Sequence, residues 1–262
     1  MEVVRILNEY YGSHDEDNRL RSRHGSVEFL TTMRYVEQYL QPGMRVLELG
    51  AATGRYSHTL AKMGFKVDAV ELVQHNIDIF KANTDSKEDV TIYQANAKDL
   101  HMLSDSIYDI TLLLGPMYHL FTEAEQLQAL SEAIRVTKKG GIIFAAYCGN
   151  EATMVQYCFG RGMIKEQRYR DLVDPVTFKA SSDPAELFQL YRKEDIDALM
   201  SHFSVTRLHY VGTDMATNYM RQTIDEMDDA LFNLYLKYHF AICERSDLVG
   251  ASHHILDIFR KD

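Results

Sequence analysis

Short apolar runs alternate with amphipathic stretches between residues 44 and 147. The runs at 44–50 (MRVLELG), 65–72 (FKVDAVEL), 90–96 (VTIYQAN), 107–114 (IYDITLLL) and 142–147 each have the length and β-branched content of a buried strand. Between them lie helical patterns at 55–63, stopped by Gly64, and at 74–83. A third begins at the capping box Thr122-Glu123-Ala124-Glu125 and runs to about Val136. Five strands alternating with helices predict a mostly parallel α/β sheet with right-handed crossovers. Ahead of the first strand the chain reads as helical, with Leu30, Met33, Val36 and Leu40 forming a stripe that Pro42-Gly43 breaks. Residues 150–203 carry short helices and irregular stretches around Asp174-Pro175 and Asp183-Pro184. A sixth strand is expected at 204–211 and a last one at 253–260. Between those two, a long helix at 224–244 sets Met227, Leu231, Leu234, Tyr238 and Ile242 on one face, to pack on the core or on a second subunit of a homodimer. There is no internal repeat, and the chain reads as one domain over 1–262. Its parts are an N-terminal helical cap (1–43), a core (44–150), a lid or substrate insertion (151–203) and C-terminal strands with a helix (204–262).

Composition narrows the partners more than the fold. The 262 residues are 46% hydrophobic and 25% charged, as in an ordinary globular protein. With 28 Lys+Arg against 38 Asp+Glu the net charge is −10, so no nucleic-acid partner is expected, because phosphate binding needs clustered cations. Cys148, Cys158 and Cys243 show no CxxC spacing and suggest neither a disulfide framework nor a zinc knuckle. The first residues lack an apolar targeting core, and the richest apolar run, 110–117, is too short to span a bilayer. A cytoplasmic protein with no membrane association is expected.

The chemistry concentrates after the first strand, in Glu48-Leu49-Gly50-Ala51-Ala52-Thr53-Gly54-Arg55-Tyr56. A buried strand ending in a small-residue turn, with a helix behind it, brings backbone and free helix N–H groups close to a ligand. Ala52 and Arg55 stand where a dinucleotide fold would want its second and third glycines, so an NAD(P) oxidoreductase is disfavoured. Glu71 ends the second strand 21 residues after Gly50, where a carboxylate accepts both hydroxyls of a ribose. Asn96-Ala97 closes the third strand, where a polar side chain and a backbone N–H can read an adenine edge. Each residue alone is an ordinary turn or strand-end residue; their order and spacing point to adenosine binding.

The stretch from about 44 to 149 resembles a class I S-adenosylmethionine-dependent methyltransferase of the small-molecule type. The resemblance rests on Glu48, Gly50 and Gly54 in an E-x-G-x-x-x-G turn, on Glu71, on Asn96-Ala97, on Tyr108-Asp109 and on Lys138-Lys139-Gly140-Gly141. Gly250-Ala251-Ser252 before the last strand adds to it. It implies a Rossmann-like, doubly wound, seven-stranded sheet with an antiparallel last strand, binding S-adenosylmethionine (SAM) over the strand ends. The cofactor would then meet Glu48, Gly50, Ala51, Ala52, Thr53, Gly54 and Tyr56. Further along it would meet Glu71, Leu72, Asn96, Ala97 and Leu114, with Tyr11 and Arg23 added by the N-terminal cap. One departure is Ala52, where many members carry glycine.

Methyl transfer needs mainly positioning, and a base only for a protonated acceptor. The acceptor is expected at the exit of strand four, near Tyr118 as an aromatic wall and His119 as base or orienting group, although both also suit plain packing. The cap's Tyr10, Tyr11, Arg19, Arg21, Arg23 and His24 offer an aromatic for the sulfonium and a cation for the methionine carboxylate, or a solvated basic face. In the insertion, Tyr157, Phe159, Arg161, Arg168, Tyr169 and Arg170 supply aromatic and cationic groups for a lid. No metal is expected: the histidines form no ligand motif, and His253 and His254, adjacent on a strand, should point to opposite faces. The function read from these residues is methyl transfer to a small-molecule acceptor. An RNA or protein methyltransferase and a non-catalytic SAM-binding regulator are the alternatives.

Overall fold

The computed structural model describes residues 2–13, 16–186 and 188–262; Met1, His14, Asp15 and Leu187 lie outside the described residues. The N-terminal third begins with two helices, α1 (Glu2–Ser13) and α2 (Arg23–Tyr39), joined through a 3-10 turn at Glu16–Asn18. Ser22 caps α2 by accepting from the Gly25 N–H. Met33 and Val36 of the expected stripe are buried, whereas Leu30 faces solvent and Leu40 lies one residue past the helix.

The alternating region follows the apolar pattern closely. Its elements are β1 (Arg45–Leu49), α3 (Arg55–Lys62), β2 (Lys66–Glu71), α4 (Gln74–Asn83), β3 (Val90–Gln94), β4 (Tyr108–Leu113), α5 (Glu123–Val136) and β5 (Thr137–Gly149). Two single-turn helices follow, α6 (Asn150–Thr153) and α7 (Gln167–Arg170), then β6 (Leu190–Tyr191), α8 (Lys193–Met200) and β7 (Val205–Gly212). The chain closes with α9 (Arg221–Asp225), α10 (Asp229–Ile242) and β8 (His254–Lys261). The main sheet order is β3-β2-β1-β4-β5-β8-β7, parallel from β3 to β5 and antiparallel through β8 and β7.

Three features were not in the sequence pattern. An eighth strand, β6, pairs with Cys148 and Gly149 of β5, beyond the last β4 partner at Ala145. Strand β5 also starts at Thr137, directly after α5. The expected helix at 224–244 is broken, because the Asp228 side chain accepts from the Leu231 N–H and starts α10 anew. Its buried face is Phe232 and His239, while Leu231, Leu234 and Tyr238 of the expected apolar face are 50%, 63% and 56% exposed. That face therefore does not pack on the core.

Alternate residues of the buried strands feed two cores. Leu47, Leu49, Val70, Leu113, Ile143 and Phe259 point to one side of the sheet, and Val46, Ile110, Leu112, Phe144, Leu256 and Ile258 to the other. All the parallel strands run the same way, so β1 and β4 end together at Leu49 and Leu113 and open a crevice beyond the sheet. No helix among the described residues is long and apolar enough to cross a membrane.

Candidate functional site

The crevice holds a cavity of about 540 Å³ whose floor is the turn after β1. Gly50 and Gly54 take φ of +76° and +91°, a region that L side chains rarely enter. A Cβ on Gly50 would sit 2.6 Å from the Pro116 ring, and one on Gly54 2.6 Å from both His58 and Phe80. Both glycines are therefore required by packing as well as by conformation. Ala52, in the place of a family glycine, also takes a left-handed φ of +47°. Its N–H donates to Glu71 Oε2 at 2.8 Å, which fixes the turn in that shape.

Two buried carboxyls hold this turn from below. Glu48 Oε2 accepts from the Ser57 N–H at 2.9 Å and from the Ser57 hydroxyl, tying β1 to the first turn of α3. Burial outweighs these bonds and pushes the Glu48 carboxyl up to about 8. Glu71 Oε1 accepts from the Leu72 and Val73 N–H groups at 2.9 and 2.8 Å. Burial raises its pKa as well, against the pull of the bonds from Val73, Ala52 and Leu72.

The expected cofactor residues separate into two groups. Glu48, Gly50, Ala51, Ala52, Thr53, Tyr56, Leu114 and Tyr11 line the cavity. Gly54 lies directly behind it as the N-cap of α3. Glu71, Leu72, Asn96 and Ala97 are not in its wall. Over that side lies α1, with Leu7 packed on Val73, and Ile6, Tyr10, Tyr11 and Leu72 around them. Arg23 is drawn away: it pairs with Asp229 at 2.7 Å and stacks over Phe232. Of the cap's expected basic residues, Arg19 and His24 do line the cavity, Arg19 held by Glu16 at 2.8 Å and by Glu28 at 2.9 Å. Of the acceptor-side residues, Tyr118 lines the cavity. His119 is not in the wall; it meets the Tyr11 hydroxyl through Nε2 at 2.9 Å and packs on Phe188. The insertion closes the far side with Tyr157, Cys158, Met163, Tyr169, Leu172 and Val173. Phe159 is 57% exposed, and Arg168 pairs with Glu166 outside the wall.

The largest departure from the sequence expectation is at the end of the chain. His253 and His254 do not point to opposite faces. Strand β8 begins only at His254, so the two-residue alternation does not yet apply to His253. Asp214 Oδ1 accepts from the Ser252 hydroxyl (2.7 Å), the His253 N–H (2.9 Å) and the His254 N–H (3.1 Å), and pins the backbone in a bend. The two rings lie 4.6 Å apart, edge to face, and both line the cavity. The other oxygen, Asp214 Oδ2, lies 2.8 Å from His254 Nδ1, and Glu28 Oε2 lies 3.3 Å from the same nitrogen.

These contacts sort the charges. Burial favours a neutral His254 ring, but the Glu28 charge and the bond to Asp214 outweigh it and hold the imidazole well above its usual value. Burial would raise the Asp214 carboxyl, yet His254 and Ser252 bring it well below the carboxylate range. Burial lowers His253 to about 4, helped by the neighbouring His254 charge. The cavity thus joins a small-residue turn at one end to an Asp–His–Glu cluster at the other. Asp214 and Glu28 escaped the sequence reading because no spacing links positions so far apart, and His253 and His254 were set on opposite faces by a strand alternation that the bend before β8 breaks.

Residues 46–141 match the methyltransferase domain family. The ubiquinone biosynthesis O-methyltransferase of Methylocella silvestris is 26% identical over 127 residues, 48% of this chain and 48% of that protein. The chain thus spans about half the length of that curated relative. The demethylmenaquinone methyltransferase of Clavibacter sepedonicus is 27% identical over 199 residues, 75% of this chain and 76% of that one. Among solved structures, a SAM-dependent methyltransferase of Methanosarcina mazei shares the fold with a TM-score of 0.57 at 14% identity, covering 87% of this chain and 96% of that one. Residues 46–141 are thus a methyltransferase domain, and the sheet order around them is the fold that solved SAM-dependent methyltransferases share.

Proposed function

We propose that the protein transfers the methyl group of SAM to a small molecule enclosed in the cavity. The observation that carries this reading is the cavity itself, which runs from the glycine turn to the Asp214–His254 corner under a lid made by the insertion. SAM supplies an activated methyl group on a sulfonium. The residues around the turn suit it: Gly50, Ala51, Ala52 and Thr53, all small, line the cavity one after another. Glu71 is the ribose partner in this reading. Its Oε1 already accepts two backbone N–H groups and its Oε2 one, so a ribose hydroxyl would be met at Oε2. Leu72, Asn96 and Ala97 are assigned to the adenine, and of these Leu72 packs against α1.

The acceptor lies between the turn and the histidines, against Tyr118, Tyr157, Tyr169 and Phe188. That aromatic wall suits a planar ring, in keeping with relatives named for ubiquinone and menaquinone synthesis. A concave cavity of about 540 Å³ favours a small molecule over an RNA or protein acceptor. The test is calorimetric titration with SAM and S-adenosylhomocysteine, with NAD as control, followed by transfer of labelled methyl to phenols and quinols, RNA and protein. The expected result is micromolar binding of the adenosyl ligands alone and label on a small ring compound. Glu71→Ala should weaken S-adenosylhomocysteine at least tenfold, by about 1.5–3 kcal/mol for lost charge-assisted bonds. Absence of adenosyl binding, or label only on RNA or protein, would overturn the proposal.

A further inference from the structure

We propose that Asp214, His253 and His254 hold one divalent first-row transition-metal ion at the acceptor end of the cavity. A ring nitrogen from each histidine and an Asp214 oxygen lie within 4.8 Å of one another, close to the ~4.2 Å that two bonds of ~2.1 Å to one ion span. One pair is closer: His254 Nδ1 is 2.8 Å from Asp214 Oδ2, a little inside the about 3.0–3.4 Å between neighbouring ligands on an ion with such bonds.

A second observation points the same way. His253 Nδ1 is buried and has no hydrogen-bond partner, an arrangement that normally costs free energy.

The surroundings have the form of a metal site's support. Asp214 Oδ1 is fixed by three donors, which leaves Oδ2 aimed at the cavity corner. Glu28 stands beside it, itself oriented by Arg19 through contacts of 2.9 and 3.3 Å. Two imidazoles and a carboxylate select zinc, iron, cobalt or manganese over magnesium or calcium, which prefer oxygen. An imidazole binds a metal through a deprotonated nitrogen, so any proton on His254 Nδ1 leaves to solvent as the ion takes its place beside Asp214 Oδ2. Three protein ligands leave positions open toward the cavity, where an acceptor oxygen or nitrogen can bind; this role for the ion rests on the methyl-transfer reading, whereas its presence does not.

The test uses the full chain after removal of metals with a chelator. Co2+ is titrated in while its visible absorption is followed, and Zn2+ binding is measured by calorimetry. One equivalent per chain is expected. His253→Ala should weaken both ions at least tenfold, and His101→Ala, altering a surface His–Asp pair, should leave them unchanged. Circular dichroism reports on folding, and His253→Gln provides a second variant with a polar group in the same space. No stoichiometric binding by the parent chain, or equal affinity in the His253 variants, would overturn the ion site. Neither result depends on SAM, so failure of the methyl-transfer reading would appear separately, in the adenosyl titration.

Discussion

Asp214→Asn is the most informative perturbation of the site. The Asn side-chain oxygen can keep the three donors of Ser252, His253 and His254, so the bend before β8 persists. What is lost is the charge 2.8 Å from His254 Nδ1, replaced by an amide that has no lone pair for it. The Asp214 and His254 side chains are only 7% and 17% exposed, so solvent screens the pair weakly. Removing one partner of such a pair costs about 3–5 kcal/mol. Glu28 remains 3.3 Å from the same nitrogen, which puts the expected loss near the lower end, about 3 kcal/mol. The pH dependence carries a sign. Asp214 is depressed in the folded state, so its contribution is present above about pH 4 and lost as pH falls through its lower folded value. His254 is raised, so its contribution is complete below about pH 6.5 and fades at about 1.4 kcal/mol per pH unit as pH climbs toward the folded value. Parent and variant should therefore differ most between about pH 4 and pH 6.5, with the gap narrowing by about 1–2 kcal/mol at pH 8. Urea unfolding at pH 5.5 and pH 8 measures this on metal-free protein. Equal stability at pH 5.5, or a gap that widens toward pH 8, would refute the charge assignment.

Two further perturbations address the turn. Glu48, at about 8 in the fold, favours the folded state below its unfolded pKa of about 4.5, and that contribution is lost as pH rises through 8. Glu48→Gln keeps an acceptor for Ser57 but cannot ionise, so its melting temperature relative to the parent should rise from pH 5 to pH 9; a constant offset would contradict a neutral Glu48. Gly54→Ala puts a methyl group at φ of +91° and 2.6 Å from Phe80 and His58. A left-handed penalty of about 1–2 kcal/mol and a comparable overpacking cost predict a loss of about 2–4 kcal/mol in denaturant unfolding. A loss below about 1 kcal/mol would show that the turn can relax.

The sequence by itself determined the alternating half of the molecule. Buried parallel strands must be short and apolar on both faces, and the helices between them carry their own caps, so local composition fixes 45–136 almost residue by residue. It also determined the turn that floors the cavity, because Gly50, Ala52 and Gly54 follow directly on β1 and their backbone shape is a local property. The C-terminal helix was misread because hydrophobic spacing does not say which side faces a core; the Asp228 cap broke the helix and left Leu234 and Tyr238 outside. The other end of the site was decided only in three dimensions. Glu28 from α2, Asp214 after β7 and His254 at the start of β8 are far apart in the chain and meet because β8 inserts antiparallel between β5 and β7. The orientation of His253 depends on hydrogen bonds to Asp214 from 39 positions away, and no periodicity in the chain encodes such a contact.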